Sequence, residues 1–326
     1  MNRIERKIKL NIEISILMSF YNEKEEEIIK SISSIISQTF KKWELILVCD
    51  NPTRKDFVLY LKKKYFLEKR IKIIENEKNI GLALSMNKAL SFSKGEYIAR
   101  MDSDDICMKK RLEEQLKYMK KNKVDLCCSD FNFIDENDCI LTLKARSYEN
   151  SELRRLLPYE NTIHHPTVMI KKNILVECGG YRNFPCAQDY DLWLRLWEKN
   201  ITMGIIKKPL IQYRIRNNSI SQAKKLQQLY TIWYIQKCFN LRLKGKKDIF
   251  TLQNYSEYLN RGKVFDIKFR EKFEQDRAFK NSLIQYKGKY RYWFLILILL
   301  LKSSFYKKYY SKLLLNEIKK RMELKK

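Results

Sequence analysis

Three carboxylates crowd into four positions at Asp102-Ser103-Asp104-Asp105, directly after the apolar run Tyr97-Ile98-Ala99. Like charges at that spacing repel one another, and a bound cation relieves the repulsion. Hard oxygen donors select Mg²⁺ or Mn²⁺, ions that keep part of their water shell and complete it with substrate phosphates. The chemistry implied is the gripping of a cation and a diphosphate. Taken alone, the same residues also suit a solvated acidic turn ahead of a helix starting at Lys109. A second acidic pair, Asp189 and Asp191, opens an amphipathic stretch carrying Leu192, Leu194, Leu196 and Trp197. A helix N-terminus stabilises carboxylates there whether or not they react.

The elements that must hold these groups alternate strand with helix. Ile14-Ser15-Ile16-Leu17-Met18 reads as a buried strand, and Glu23 to Ile36 carries Ile28, Ile29, Ile32, Ile35 and Ile36 at helical spacing. Leu45 to Val48 is the next strand, Asp50-Asn51-Pro52-Thr53 its turn, and Phe57 to Tyr65 its helix. Ile71 to Ile74 leads through Asn79-Ile80-Gly81 into a helix with Leu82, Leu84, Met86 and Leu90, closed by Gly95 in the helix-ending position. Tyr97-Ile98-Ala99 is the fourth strand. Such alternation predicts parallel βαβ units with helices on both faces. In sheets of this kind ligands bind beyond the carboxyl ends of the strands. Ser19-Phe20-Tyr21-Asn22-Glu23, Asp50-Asn51 and Asp102 to Asp105 all follow strands, so polar groups converge on one edge.

The order of these segments resembles the family 2 glycosyltransferases of the GT-A fold, of the bacterial surface-polysaccharide type. Ile16 to Glu23 (ILMSFYNE) looks like the opening strand and nucleotide loop of that family. Glu44 to Thr53 (ELILVCDNPT) looks like its strand ending in paired aspartates, with Cys49 in the first place and Asp50 in the second. Asn79-Ile80-Gly81-Leu82 with Asn87, then Gly95 to Asp105 (GEYIARMDSDD), match its most distinctive stretch. Gly179-Gly180-Tyr181, Gln188 to Arg195 (QDYDLWLR) and Tyr213-Arg214 complete the series over roughly residues 12–221. The resemblance implies a Rossmann-like GT-A mixed sheet and a metal-assisted transfer of sugar from a nucleotide-diphosphate donor, with UDP-sugar the family expectation.

The resemblance also implies roles for single residues. Tyr21 would stack on the nucleobase and Asp50 would hydrogen-bond it, with Ser19, Asn22, Glu23, Asn79, Gly81 and Ser103 around the nucleotide. Asp102 and Asp104 would hold metal, Mn²⁺ or Mg²⁺, and Asp102 the ribose-diphosphate as well. Asp189, with Asp191 beside it, would take the proton from the acceptor hydroxyl in a single inverting displacement. Gln188 replaces the usual first acid of that pair. Many relatives place a His two residues after the Tyr-Arg pair, where this chain has Arg216, a charged donor that neutralises diphosphate but cannot ligate metal. His165, of the adjacent pair His164-His165, and Trp193 are the candidates for acceptor contact. No cysteine of the eight shows the partners of a catalytic thiol, so buried structural Cys is the expectation.

Composition bounds the rest. Of 326 residues with formal charge +28, the segment from Gln222 to Lys326 carries 26 basic and 8 acidic residues, so the excess is concentrated there. We therefore expect a catalytic domain over 1–221 and a basic, aromatic-rich, mainly helical extension over 222–326. The apolar run from Tyr292 to Leu301 is too short to span a bilayer but long enough for an interfacial or buried helix. Lys and Arg among Tyr and Trp predict attachment to an anionic membrane surface. Packing on the catalytic unit is the other reading of the same helix. Met1 to Glu13 lacks the pattern of a secretory signal and the cysteines include no C-x-x-C pair, so the expected location is cytoplasmic, peripheral at the inner face of the cytoplasmic membrane. The expected partners are a nucleotide-sugar donor and a glycan or polyprenyl-linked acceptor of the O-antigen or capsule type. No nucleic-acid recognition motif accompanies the charge, and no nucleic-acid partner is expected. The rival reading is a non-catalytic basic module, binding RNA or membrane, on a degenerate transferase scaffold.

Overall fold

The computed structural model describes residues 11–143, 147–215, 225–283 and 290–324. The chain divides into two compact units, residues 1–157 with 161–219, and residues 158–160 with 220–326. The expected boundary at 221/222 falls outside the described residues.

The first unit is built on one eight-stranded sheet in the order β3-β2-β1-β4-β7-β6-β8-β5. Strands β1 (Ile14–Phe20) and β2 (Trp43–Cys49) are buried along their whole length, as continuous apolar runs covered on both faces must be. They pair in parallel with each other, with β3 (Ile71–Glu75) and with β4 (Tyr97–Arg100). Helices α1 (Glu25–Ile36), α2 (Lys55–Lys64) and α3 (Leu82–Phe92) connect them. Ile28, Ile32 and Ile35 of α1 point into the core, and the Lys24 N–H donates to Glu27 at its N-terminus. The Arg70 guanidinium lies 3.8 Å over the buried Trp43 ring.

Gly95 has a different task from the one its position suggested. Helix α3 ends at Phe92 with Ser93 as its cap. Gly95 instead passes so close to β1 that a Cβ there would lie 2.6 Å from the Ser15 nitrogen. Its N–H donates to the Ser15 hydroxyl at 2.8 Å. Close backbone approach, not a left-handed cap, requires the glycine.

Beyond β4 the sheet turns mixed. Strand β7 (Met169–Lys171) is antiparallel to β4 and to β6 (Leu126–Ile134), β6 is parallel to β8 (Met203–Arg214), and β5 (Ile106–Cys107) is antiparallel to β8. Helices α4 (Arg111–Asn122), α5 (Asn150–Leu156), α6 (Lys172–Glu177) and α7 (Gln188–Glu198) flank this half. The β6 and β8 ladder shifts register around Asp130, which lies opposite Pro209. Proline cannot donate to a ladder, so a bulge forms there.

The second unit is helical: α8 (Lys225–Leu243), α9 (Leu252–Arg261), α10 (Ile267–Ser282), α11 (Tyr290–Lys302) and α12 (Ser304–Leu324). Thr251 and Asp266 cap α9 and α10 by accepting from the backbone N–H three residues on. Its core is aromatic, with Phe305 against Phe273 at 4.8 Å and against Trp233 at 5.9 Å between ring centroids.

Candidate active site

Because β2, β1 and β4 are adjacent and parallel, the residues that follow them share one sheet edge. At about 4.8 Å between neighbouring strands, Asp50, Tyr21 and Asp102 are spread over roughly 10 Å. Tyr21 is 41% exposed and presents its ring to solvent. Its backbone is clamped, since its N–H donates to Glu23 at 2.6 Å and its carbonyl accepts from Asn51 at 3.3 Å. Asn51 also donates to Asn22 at 2.8 Å. Ser19 is buried in β1 just before this clamp.

Asp50 is buried and held by three donors, which leaves acceptor capacity on Oδ2. Its carboxylate accepts from Asn76 at 2.8 Å, the Ile80 N–H at 2.9 Å and the Gly81 N–H at 2.8 Å. The Asn79-Ile80-Gly81 segment thus earns its place by presenting two amides to Asp50, and the Asn79 side chain accepts from the same Gly81 N–H. Gly81 sits at φ +84°, ψ 161°, a region essentially reserved for glycine. Cys49, in the first place of the aspartate pair, is buried at the end of β2.

The acidic loop is held by two buried arginines, quoted within the motifs of the sequence but given no role there. Arg100, the last residue of β4, pairs with Asp102. Arg214, at the end of β8, donates its N–H to Asp105 Oδ1 at 2.9 Å, its Nε to the Asp104 carbonyl at 2.9 Å and an Nη to the Asp135 carbonyl at 2.6 Å. A fully buried arginine closing an apolar strand is a visible signal, because Arg is almost never buried without a partner. Asp105 is buried, and its Oδ2 has no hydrogen-bond partner. Burial first, then the charges of Asp104 and Asp102, push its carboxyl well above the usual range. The Ser103 hydroxyl is likewise enclosed without a partner.

Asp102 and Asp104, beside Asp105 with one oxygen unpartnered, fit a hard divalent cation whose remaining ligands come from a substrate diphosphate. Among the described residues no group of three or more His, Cys, Asp or Glu is disposed to hold a metal by itself.

Asp189 is the second residue of α7, and its Oδ2 accepts from Asn161 at 3.0 Å. Burial raises its pKa above the usual 3.8, against the opposing pull of the Asn161 and backbone hydrogen bonds and the Arg100 charge. The Arg100 charge also opposes the upward push of burial on Tyr181 and adds to its downward push on His164. Gln188 is buried at the helix start.

Asp191, two residues on, has no exposed surface. It accepts from Arg195 Nε at 2.8 Å, and Arg195 in turn donates to the carbonyls of Cys178 at 2.6 Å and Gly180 at 2.7 Å. That network fixes the Gly179-Gly180-Tyr181 turn, which Asn87 grips by accepting from the Tyr181 N–H and donating to its carbonyl. Trp193 is 1% exposed, and His165 is buried with its Nε2 2.8 Å from the Tyr181 hydroxyl. Neither reaches a surface open to an acceptor. The other histidine, His164, stacks on Phe131 at 4.3 Å, and burial pushes its pKa down to about 4. Arg216 lies outside the described residues. Six cysteines are buried, Cys178 is half-buried and Cys139 exposed, and all eight are free thiols.

Residues 15–179 match the family described as glycosyl transferase family 2. The chain belongs to that family. Family 2 membership carries the enzyme class with it, so the non-catalytic module is set aside. Among curated relatives, the O-antigen biosynthesis glycosyltransferase WbnJ of Escherichia coli is 35% identical over 197 residues, 59% of this chain and 76% of WbnJ. The UDP-Glc:alpha-D-GlcNAc-diphosphoundecaprenol beta-1,3-glucosyltransferase WfgD of Escherichia coli is 33% identical over 226 residues, covering 68% of this chain and 83% of WfgD. An uncharacterised glycosyltransferase of Methanocaldococcus jannaschii reaches 39% over 227 residues, 68% of this chain and 78% of the relative. The fold matches S. aureus TarS 1-349, solved in complex with UDP-GlcNAc, with a TM-score of 0.58 at 17% identity over 83% of this chain and 81% of that fragment. This family 2 enzyme therefore has the GT-A mixed sheet.

Proposed function

We propose that the protein transfers a sugar, with inversion, from a UDP-sugar to a hydroxyl of a lipid-linked glycan in surface-polysaccharide assembly. WfgD acts on a diphosphoundecaprenol-linked acceptor and WbnJ belongs to O-antigen biosynthesis, which supports that acceptor class. The observation that carries the mechanism is the carboxylate of Asp189, desolvated at the start of α7 with its Oδ2 held by Asn161.

Tyr21 offers a flat face to the nucleobase, and Asp50, fixed by Ile80 and Gly81, stands one strand away as a hydrogen-bond acceptor. Asp102 and Asp104 would hold Mg²⁺ or Mn²⁺, which neutralises charge on the departing nucleoside diphosphate when bound. Arg214 fixes their loop. Asp189 accepts the proton of the acceptor hydroxyl as its oxygen bonds to the anomeric carbon and the bond to diphosphate breaks. A carboxylate whose pKa burial has raised is the stronger base for that step. Asn161 holds the carboxylate in one orientation. Asp191 acts through Arg195, as a positioning residue.

The test is release of nucleoside diphosphate from UDP-sugars. Release that requires divalent metal and is lost in Asp104→Ala supports the reading; metal-independent release unchanged in that variant overturns it.

The helical unit supports docking on an anionic membrane. On α11, Ile296 and Leu299 are buried, while Phe294, Leu297 and Leu301, on the opposite side, are 62%, 53% and 78% exposed. Exposed Lys302, Lys307 and Lys308 lie next in the chain. Among the described residues no helix is long and apolar enough to cross a membrane.

A further inference from the structure

Beside the proposed base lies a cavity of about 230 Å³ lined by Asp130, Phe131, Phe133, Tyr148, Asn161 and His164. We infer that it is a subsite for one pyranose ring of the acceptor glycan, read by His164 and Asp130 and bounded by the aromatic rings. The inference rests on the transferase reading above and adds to it a place and a size for the acceptor.

Size sets the first limit. The volume is below the ~300 Å³ at which drug-sized pockets begin, so it takes a single ring and not a chain. Position sets the second. Asn161 both lines the cavity and donates to Asp189 Oδ2 at 3.0 Å, so a ring seated there has its hydroxyls next to the base.

Chemistry sets the third. The Nε2 of His164 is buried without a hydrogen-bond partner. Its ring cannot swing to find one, because it lies 11° from parallel on Phe131 at 4.3 Å and edge-on to Tyr213 at 4.6 Å. Buried polar atoms of proteins are as a rule hydrogen-bonded, so a pinned, orphaned ring nitrogen on a residue that lines a cavity points to a ligand hydroxyl. Asp130 accepts from Ser147 through both oxygens at 3.0 Å and keeps lone pairs for further donors. Phe131 and Phe133, packed edge to face with 5.1 Å between centroids, supply apolar lining. Neighbouring residues of a regular strand face opposite sides. The register shift opposite Pro209 is what lets Asp130 and Phe131 line one cavity.

A donor sugar is the competing occupant, and binding separates the two. Saturation-transfer NMR with a panel of methyl glycosides, run on the full chain with saturating UDP, should find one that binds. His164→Phe, which keeps the stack and removes the nitrogen, and Asp130→Ala, at a half-buried position, should each weaken that glycoside about tenfold, one hydrogen bond's worth. Affinity for UDP-sugar relative to UDP should not change. Two variants guard against one failing to fold, which circular dichroism reports. The inference is overturned if no glycoside binds, if both variants bind it like the parent, or if they lose UDP-sugar affinity instead. Glycoside binding with full transfer in Asp189→Asn would leave the subsite standing and sink only the base assignment.

Discussion

Two aspartates two residues apart, Asp189 and Asp191, have opposite surroundings, and the difference is chemical. Asp189 sits at a helix N-terminus with one oxygen held by Asn161, desolvated enough to raise its pKa. Asp189→Asn should lower kcat by about 10²- to 10⁴-fold, the usual worth of a positioned base, while UDP binding measured by calorimetry stays unchanged. Only the ionised carboxylate accepts a proton, so kcat of the parent should rise with pH through a midpoint above 3.8. Stability runs the other way. A carboxyl whose pKa is raised by folding contributes stability that is present below 3.8 and lost as pH rises through the folded value. Asp189→Asn should therefore melt higher than the parent at neutral pH, with the gap closing toward pH 4 in differential scanning calorimetry.

At the scale of elements, the site depends on turns that strands and helices hold in place. Asp191 is buried against Arg195, which pins the turn at Cys178 and Gly180. Asp191→Ala strands a buried guanidinium, and the expected loss is about 3–5 kcal/mol in urea denaturation, with lower Tm at every pH. A catalytic role would instead leave Tm intact and remove kcat alone. Gly81 carries the loop that feeds two amides to Asp50, and nothing lies within 4 Å of where its Cβ would go. Gly81→Ala should thus act through backbone strain only, about 1–3 kcal/mol, and raise KM for the donor as the Gly81 N–H shifts from Asp50. Of the strands that sequence periodicity located, β1 to β4 are the parallel ones, and β1, β2 and β4 are buried throughout. Strands β6 and β8 escaped it because Ser129, Asp130 and Asn132 interrupt one and Lys207-Lys208-Pro209 the other. Those interruptions are the bulge that shapes the acceptor cavity.

For the molecule as a whole, charge and exposed apolar surface coincide in the helical unit. Leu297→Ser with Leu301→Ser should release the protein from phosphatidylglycerol vesicles in a flotation assay and leave soluble donor hydrolysis unchanged. Binding of the parent should weaken with salt, as attraction between basic side chains and anionic lipid is screened within about 10 Å at 0.1 M. Equal binding to phosphatidylcholine at all salt concentrations would argue against electrostatic docking.

From the amino-acid order alone, the parallel half of the sheet, the convergence of Tyr21, Asp50 and Asp102 on one edge, and the family were all legible. Apolar periodicity dictates which residues are buried, and parallel connection dictates that strand ends share an edge. What only the tertiary structure decided was the fate of side chains at adjacent positions. Asp191, His165 and Trp193 turned inward, His164 alone of the histidine pair met the cavity, and Arg100 and Arg214 were enlisted to hold the acidic loop. One residue's step along an extended segment, or two along a helix, turns a side chain to nearly the opposite face, and which face meets substrate depends on partners dozens of residues away.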